Sequence, residues 1–158
     1  MKHLPTILVL ANLLLVLAVV NGAIFQKEAI VDTGQIVFLE LAPVDPRSLM
    51  QGDYMILTYG LSRGPKVSQT RGAFVLALDE RRVGTFDRLA SEAELRGELA
   101  EDKALLQFRK WRGGFKFGIE SFFFQEGHAE RYDRAKFAEI RVSAAGKPVL
   151  VDLHDAIP

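Results

Sequence analysis

The stretch Ala104-Leu105-Leu106-Gln107-Phe108-Arg109-Lys110-Trp111-Arg112-Gly113-Gly114-Phe115-Lys116-Phe117-Gly118-Ile119 carries the clearest structural signal in the chain. Aliphatic and aromatic side chains crowd both halves, and Gly113-Gly114 stands between them. Residues free to take positive φ between two such runs signal a tight β-hairpin. The pattern predicts strands over 104–111 and 115–119. Residues 136–143 and 148–153 form a second such pair across 144–147. A third pair, 73–78 and 83–89, is joined through Asp79-Glu80-Arg81-Arg82. Upstream, 35–41 reads as a strand with Ile36 and Phe38 on one face and Val37, Leu39 and Leu41 on the other. Residues 54–61 read as another, and 120–125 as a further short one. Helix signals are brief. Asp45-Pro46 and Gly52 punctuate a single turn over 44–52, 91–103 is rich in Glu and Ala but interrupted by Gly97, and 126–134 is short and polar. The expected architecture is mainly β: an antiparallel sheet or small barrel with two or three short helices, preceded by one transmembrane helix.

That preceding helix is written in residues 7–25, an apolar run of 19 residues broken only by Asn12, Asn21 and Gly22. As a helix it spans about 28 Å, close to the ~30 Å hydrocarbon core of a bilayer. Pro5 sits where its missing N–H costs little. Lys2 precedes the run and Gln26-Lys27-Glu28 follows it, a weak bias for a cytoplasmic amino end and an exported remainder. Two readings compete: a cleaved signal peptide, whose best cleavage candidate is Val20-Asn21-Gly22 before Ala23, and an uncleaved anchor. The length favours the anchor. The division is thus 1–25 anchor, 26–33 linker (still partly helical) and 34–158 a β-rich periplasmic domain. Asn12 and Asn21 are polar groups at bilayer depth, able to bond a neighbouring helix, but nine positions apart they lie on opposite sides of it.

Composition narrows the function. The chain of 158 residues is 49% hydrophobic and 25% charged, typical of a packed globular protein. Lys plus Arg and Asp plus Glu each number 20, and a net charge of zero argues against nucleic-acid binding. The absence of cysteine removes disulfides, thiolate metal sites, thiol nucleophiles and a lipoprotein acyl anchor.

A few residues stand out from this background. Gly52-Asp53 reads as a turn at the head of a strand, Gly52 taking positive φ and Asp53 bonding turn N–H groups. Tyr54 and Tyr59, five apart, fall on opposite faces of an ideal strand, so one belongs in the core and the other is half-exposed. Glu126, His128, Glu130 and Asp133 form the one local set of metal-ligand types, but His128 does not share the helix face of Glu126 and Glu130. The plainer reading starts a helix at Glu126-Gly127. His154, between Asp152 and Asp155, reads as solvated surface. Arg109, Lys110, Arg112 and Lys116 interleave with Phe108, Trp111, Phe115 and Phe117. Three readings apply: an ordinary strand pair with one wet face, a surface for the anionic membrane or a membrane partner, or a single-stranded nucleic-acid site, which an exported location disfavours. Phe122-Phe123-Phe124 cannot all point one way on a strand, so one ring must be covered from the second side, which hints at an interface.

Residues 52–59, Gly-Asp-Tyr-Met-Ile-Leu-Thr-Tyr, fit Gly-Asp-Tyr-x-x-Leu-x-Tyr at every fixed position: Gly52, Asp53, Tyr54, Leu57 and Tyr59. This resembles the GDYXXLXY protein family. The approach through Asp45-Pro46-Arg47, the later Phe122-Phe123-Phe124-Gln125-Glu126-Gly127 and the closing hairpin are similar to it as well, so the resemblance covers the whole chain. It implies a bacterial membrane-anchored protein, often encoded beside polytopic membrane proteins, and implies no reaction. A fainter similarity, Leu49-x-x-Gly52-Asp53-Tyr54-x-x-Leu57, is to the start of the type I signal peptidase fold. There Val44 occupies the position of the nucleophilic serine, and Arg47 stands where that pattern has proline.

Three functions are therefore in play. The first is a non-catalytic accessory protein of the inner membrane whose periplasmic domain docks on a polytopic partner and supports its assembly or stability. Asn12, Trp111, Phe115, Phe122, Phe123 and Phe124 are its candidate interface residues. No cofactor, metal, nucleic acid or small-molecule substrate is inferred. The second is a membrane-tethered hydrolase of signal-peptidase-like fold, for which Ser48, Lys110 and Asp53 are the available residues. The third is a periplasmic ligand- or glycan-binding module using the tyrosines and Trp111.

Overall fold

The computed structural model describes residues 4–42, 54–112, 114–125 and 129–157. Helix α1, Leu4–Thr33, is 30 residues long. At 1.5 Å per residue it measures about 45 Å, longer than a hydrocarbon core. It is long and apolar enough to cross a membrane, and none of its apolar span is buried by the rest of the chain. Its polar interruptions are partly satisfied within the helix: the Asn21 side-chain amide donates to the Leu17 carbonyl at 2.8 Å, and the Thr33 hydroxyl to the Ala29 carbonyl at 2.7 Å.

Residues 26–33 form the last two turns of this helix, and no flexible linker intervenes before the domain. Gly34 ends it. Its N–H bonds the Ile30 carbonyl at 2.9 Å, and its own carbonyl accepts from the Arg141 guanidinium at 3.3 Å. A side chain at Gly34 would run into the Ile30 and Val142 carbonyls, so only glycine permits so abrupt a passage into strand β1, Gln35–Glu40.

Three antiparallel sheets follow. Strand β1 pairs with β8 (Phe137–Val142), which pairs with β9 (Pro148–His154). Strand β2 (Tyr54–Ile56) pairs with β7 (Ser121–Phe123). The third sheet runs β4-β3-β5-β6, from Gly84–Leu89, Arg71–Leu78, Lys103–Trp111 and Gly114–Lys116. Single bridges stitch the sheets together. The Phe38 N–H bonds the Arg82 carbonyl at 2.9 Å, Leu41 pairs with Tyr59, and the Gln107 N–H bonds the Gly146 carbonyl at 2.8 Å. The chain thus closes a half-barrel: β1 to β8, the β8–β9 turn to β5, β5 to β3, β3 to β4, and the start of β4 back to β1. Gly146 takes φ +80°, and a side chain there would come within 2.9 Å of Leu105 Cβ, so glycine lets the turn seat on β5.

The expected hairpins are present, with Trp111 pairing Gly114 across a turn in which Arg112 adopts φ +47°. Several elements are shorter than expected. The strand expected over 115–119 stops at Lys116. The strand expected over 54–61 stops at Ile56. Beyond it the chain changes partner: the Leu57 N–H still bonds the Glu120 carbonyl, the Thr58 carbonyl accepts from Ala42, and Gly60–Ser62 forms a 3₁₀ turn. The helix expected over 91–103 shrinks to α2, Glu92–Leu95, started by a Ser91–Glu94 capping box. It ends where Gly97 turns to φ +106°. The polar helix expected over 126–134 is described from Ala129 to Tyr132, as α3. The turn expected over 44–52, with Gly52, Asp53 and Ser48, lies outside the described residues, as do Glu126, Gly127 and His128.

The core fills the half-barrel. Val37 and Leu39 of β1 meet Phe74 and Leu76 of β3, Leu106 and Phe108 of β5, and Ala138 and Ile140 of β8. Phe74 is its hub. It stacks on Phe108 at 4.1 Å between centroids and receives the edges of Phe86, Phe115 and Phe117. Such edge-to-face and offset arrangements are the favoured aromatic geometries. A smaller cluster of Ala73, Val75 and Leu105 lies on the outer face of β3–β5, packed against Ala90 and Leu99.

Candidate functional site

The hairpin β5–β6 has two faces of opposite character. Phe108 and Phe115 point inward and are buried in the aromatic stack. Arg109, Trp111 and Lys116 point outward and are exposed. Trp111 keeps 53% of its surface in solvent, with the guanidinium groups of Arg109 and Arg112 each 5.9 Å from its ring centroid. The strand register extends this face. Arg71 of β3 lies directly opposite Arg109, and Arg109 directly opposite Lys116. Directly opposed residues point to the same side of a sheet, so three cationic side chains leave one face from adjacent strand positions whose backbones are about 5 Å apart. Two shallow depressions flank Trp111. One, of about 410 Å³, is lined by Gln107, Arg109, Lys116 and Glu120; the other, of about 370 Å³, includes Arg63, Arg112 and Lys116.

Glu120 is the carboxylate common to both, and its oxygens already accept the backbone N–H groups of Phe117, at 2.5 Å, and Gly118. It fastens the turn that carries the chain from β6 to β7. Lys110 belongs to the inward set, with its ammonium donating to the Val67 carbonyl at 2.7 Å.

The family-motif tyrosines divide as their spacing demands. Tyr59 is fully buried, its ring against Phe117 and its hydroxyl donating to the Ile119 carbonyl at 2.6 Å. Burial, aided by the nearby Glu120 charge, pushes its ionisation far above the ordinary tyrosine range. Tyr54 is half-buried and lies against Phe123, and Leu57 is buried in the core. Phe122 and Phe124 both pack on Tyr132 of α3, at 4.9 and 5.8 Å between centroids. Phe123 points the other way and is 74% exposed, beside Ile56 at 46%. Among the described residues only the Tyr54 ring stacks on it, so the second-side cover expected for the phenylalanine triplet is not supplied by a described helix.

Glu130 and Asp133 are exposed, and among the described residues no three His, Asp or Glu side chains converge as a metal site. His154 is half-buried rather than freely solvated. Its Nε2 lies 2.9 Å from Glu139, and its ring meets the edge of Phe38. Two acids elsewhere are held ionised. Hydrogen bonding from Lys103 holds Asp87 below the usual carboxylate range, and the Ser91 N–H and hydroxyl, with Arg88, do the same for Glu94. They fasten β4, β5 and α2 together, away from the Trp111 face.

Alternation with aromatic residues marks Trp111, Arg109, Arg112 and Lys116 in the sequence. Arg71 and Glu120 carry no such mark, because Arg71 joins the row only through strand register and Glu120 only through a turn.

The family model described as GDYXXLXY protein matches residues 16–153. No curated protein and no solved structure matches the chain. The chain belongs to the GDYXXLXY protein family.

Proposed function

With family membership as the premise, we propose that this is a non-catalytic, membrane-anchored accessory protein. Helix α1 stays in the inner membrane with its amino end in the cytoplasm. The half-barrel stands in the periplasm and docks on a polytopic membrane protein, supporting that protein's assembly or stability. The observation that carries the reading is the passage of α1 into β1 at Gly34. A helix whose apolar side chains find no cover within the chain is joined without a linker to a folded domain, which is thereby held at the membrane surface. At 1.5 Å per residue the turns 26–33 rise about 12 Å, enough to clear a headgroup layer and little more. Exposed Trp111 and Phe123 are large apolar side chains of the kind enriched at interface cores.

The test is deletion. Quantitative proteomics of inner membranes should show a specific polytopic protein depleted without this chain and restored by re-expression. Ser48→Ala and Asp53→Ala variants that fold should restore it as well as the wild type does. A deletion strain in which every polytopic protein keeps its level would sink the reading.

A further inference from the structure

The outer face of β3-β5-β6 carries an arrangement that folding alone does not explain. Arg71, Arg109 and Lys116 stand side by side in register, and like charges directly opposite on a sheet repel. Arg112 and Arg63 extend the group around Trp111. Among the described residues none of these five cations forms an ion pair, although ion pairs occur elsewhere in the domain at Arg88–Glu94 and Lys103–Asp87. The chain as a whole is neutral, so this is a local concentration of charge. Glu120, which lines both depressions, is engaged by the Phe117 and Gly118 N–H groups.

We propose that this row is the docking surface for an acidic, extracytoplasmic segment of the membrane partner, with Trp111 as its aromatic anchor. This deepens the accessory-protein reading and rests on it. Charge complementarity sets the chemistry: carboxylates laid across the three strands would relieve the repulsion, and tryptophan and arginine are among the residue types enriched at interface hot spots. The tip of the β5–β6 hairpin packs on the Gly60–Ser62 turn, away from α1, while Gln107, two residues before Arg109, bonds the β8–β9 turn at the α1 end. The face thus runs from the α1 end of the domain outward, where an extracytoplasmic segment of a membrane protein can lie across it.

The experiment uses the full-length chain in native membranes, with a photo-crosslinking amino acid at position 116. Crosslinks should map by mass spectrometry to a periplasmic segment rich in Asp and Glu. Mild-detergent co-purification of that partner should fall at least tenfold in Arg109→Glu, less in Arg109→Gln, and sharply in 0.5 M NaCl. Circular dichroism confirms that each variant is folded. Crosslinks to lipid, or to a segment without net negative charge, would overturn the proposal. So would a partner recovered equally by wild type and Arg109→Glu, which leaves the accessory reading standing. Failure of the wild type to retain any polytopic protein would overturn both.

Discussion

The two faces of the β5–β6 hairpin are built from neighbouring residues and serve opposite ends. Phe108 and Phe115 are packed into the Phe74 stack and hold the sheets together. Arg109 and Lys116, each adjacent in sequence to one of them, stand unpaired among the described residues and in mutual repulsion outside. The inner face is optimised for folding, and the outer face is not. What the outer face lacks in intramolecular partners is the best guide to where an external one binds.

The largest effect should come from breaking the inner face. Phe74→Ala removes the ring on which four others rest and should cost about 3–5 kcal/mol in denaturant unfolding. That is a large share of a typical domain's stability. A loss below about 1 kcal/mol would mean the stack is not the keystone. Tyr59→Phe keeps the ring and leaves the Ile119 carbonyl without its donor, for about 1–2 kcal/mol. This difference should depend on pH. The folded-state pKa of Tyr59 is raised, so its contribution is complete below the ordinary value of about 10 and is lost as pH rises beyond it, where only the unfolded chain ionises. The stability gap between wild type and Tyr59→Phe should therefore narrow between pH 9 and pH 11, as thermal melts would show.

Ser91→Ala removes the α2 cap at about 1 kcal/mol. Asp87 and Glu94 have depressed folded-state pKa values, so the stability they give is complete above about pH 4–5 and is lost as pH falls below that. A melting temperature that held steady down to pH 3 would contradict the role given to these ion pairs.

The outer face should show the smallest effects on folding. Trp111→Ala should change stability by no more than about 0.5 kcal/mol. Arg109→Gln should be neutral or stabilising by a few tenths, because it breaks a like-charge row. Both should weaken partner recovery nonetheless. A destabilisation of Arg109→Gln above 1 kcal/mol would show that the row is structural, and would erase the distinction between the faces.

Much of this was legible in the sequence, and the parts that were not share a cause. The apolar run at 7–25, the Gly113-Gly114 hairpin and the closing hairpin are local patterns, and the structure places all three where the patterns put them. The split between Tyr54 and Tyr59 followed from their odd spacing. The early end of β2 at Ile56 was not visible, because residues 57–59 leave β7 for β1, and a change of partner leaves no trace in side-chain alternation. The shrinking of the expected 91–103 helix was half visible in Gly97. The cation row was invisible, since Arg71 and Arg109 are far apart in the chain and meet only once β3 and β5 are in register.

Co-purification would show most directly whether the domain docks on a membrane protein. The full-length chain, tagged at its carboxyl end, would be extracted from native membranes in mild detergent and its companions identified and counted by mass spectrometry. One polytopic membrane protein should be recovered in fixed ratio, and its recovery should fall when Arg109 is reversed to Glu. A chain that emerges alone, folded and in its native membrane complement of lipid, would contradict this docking.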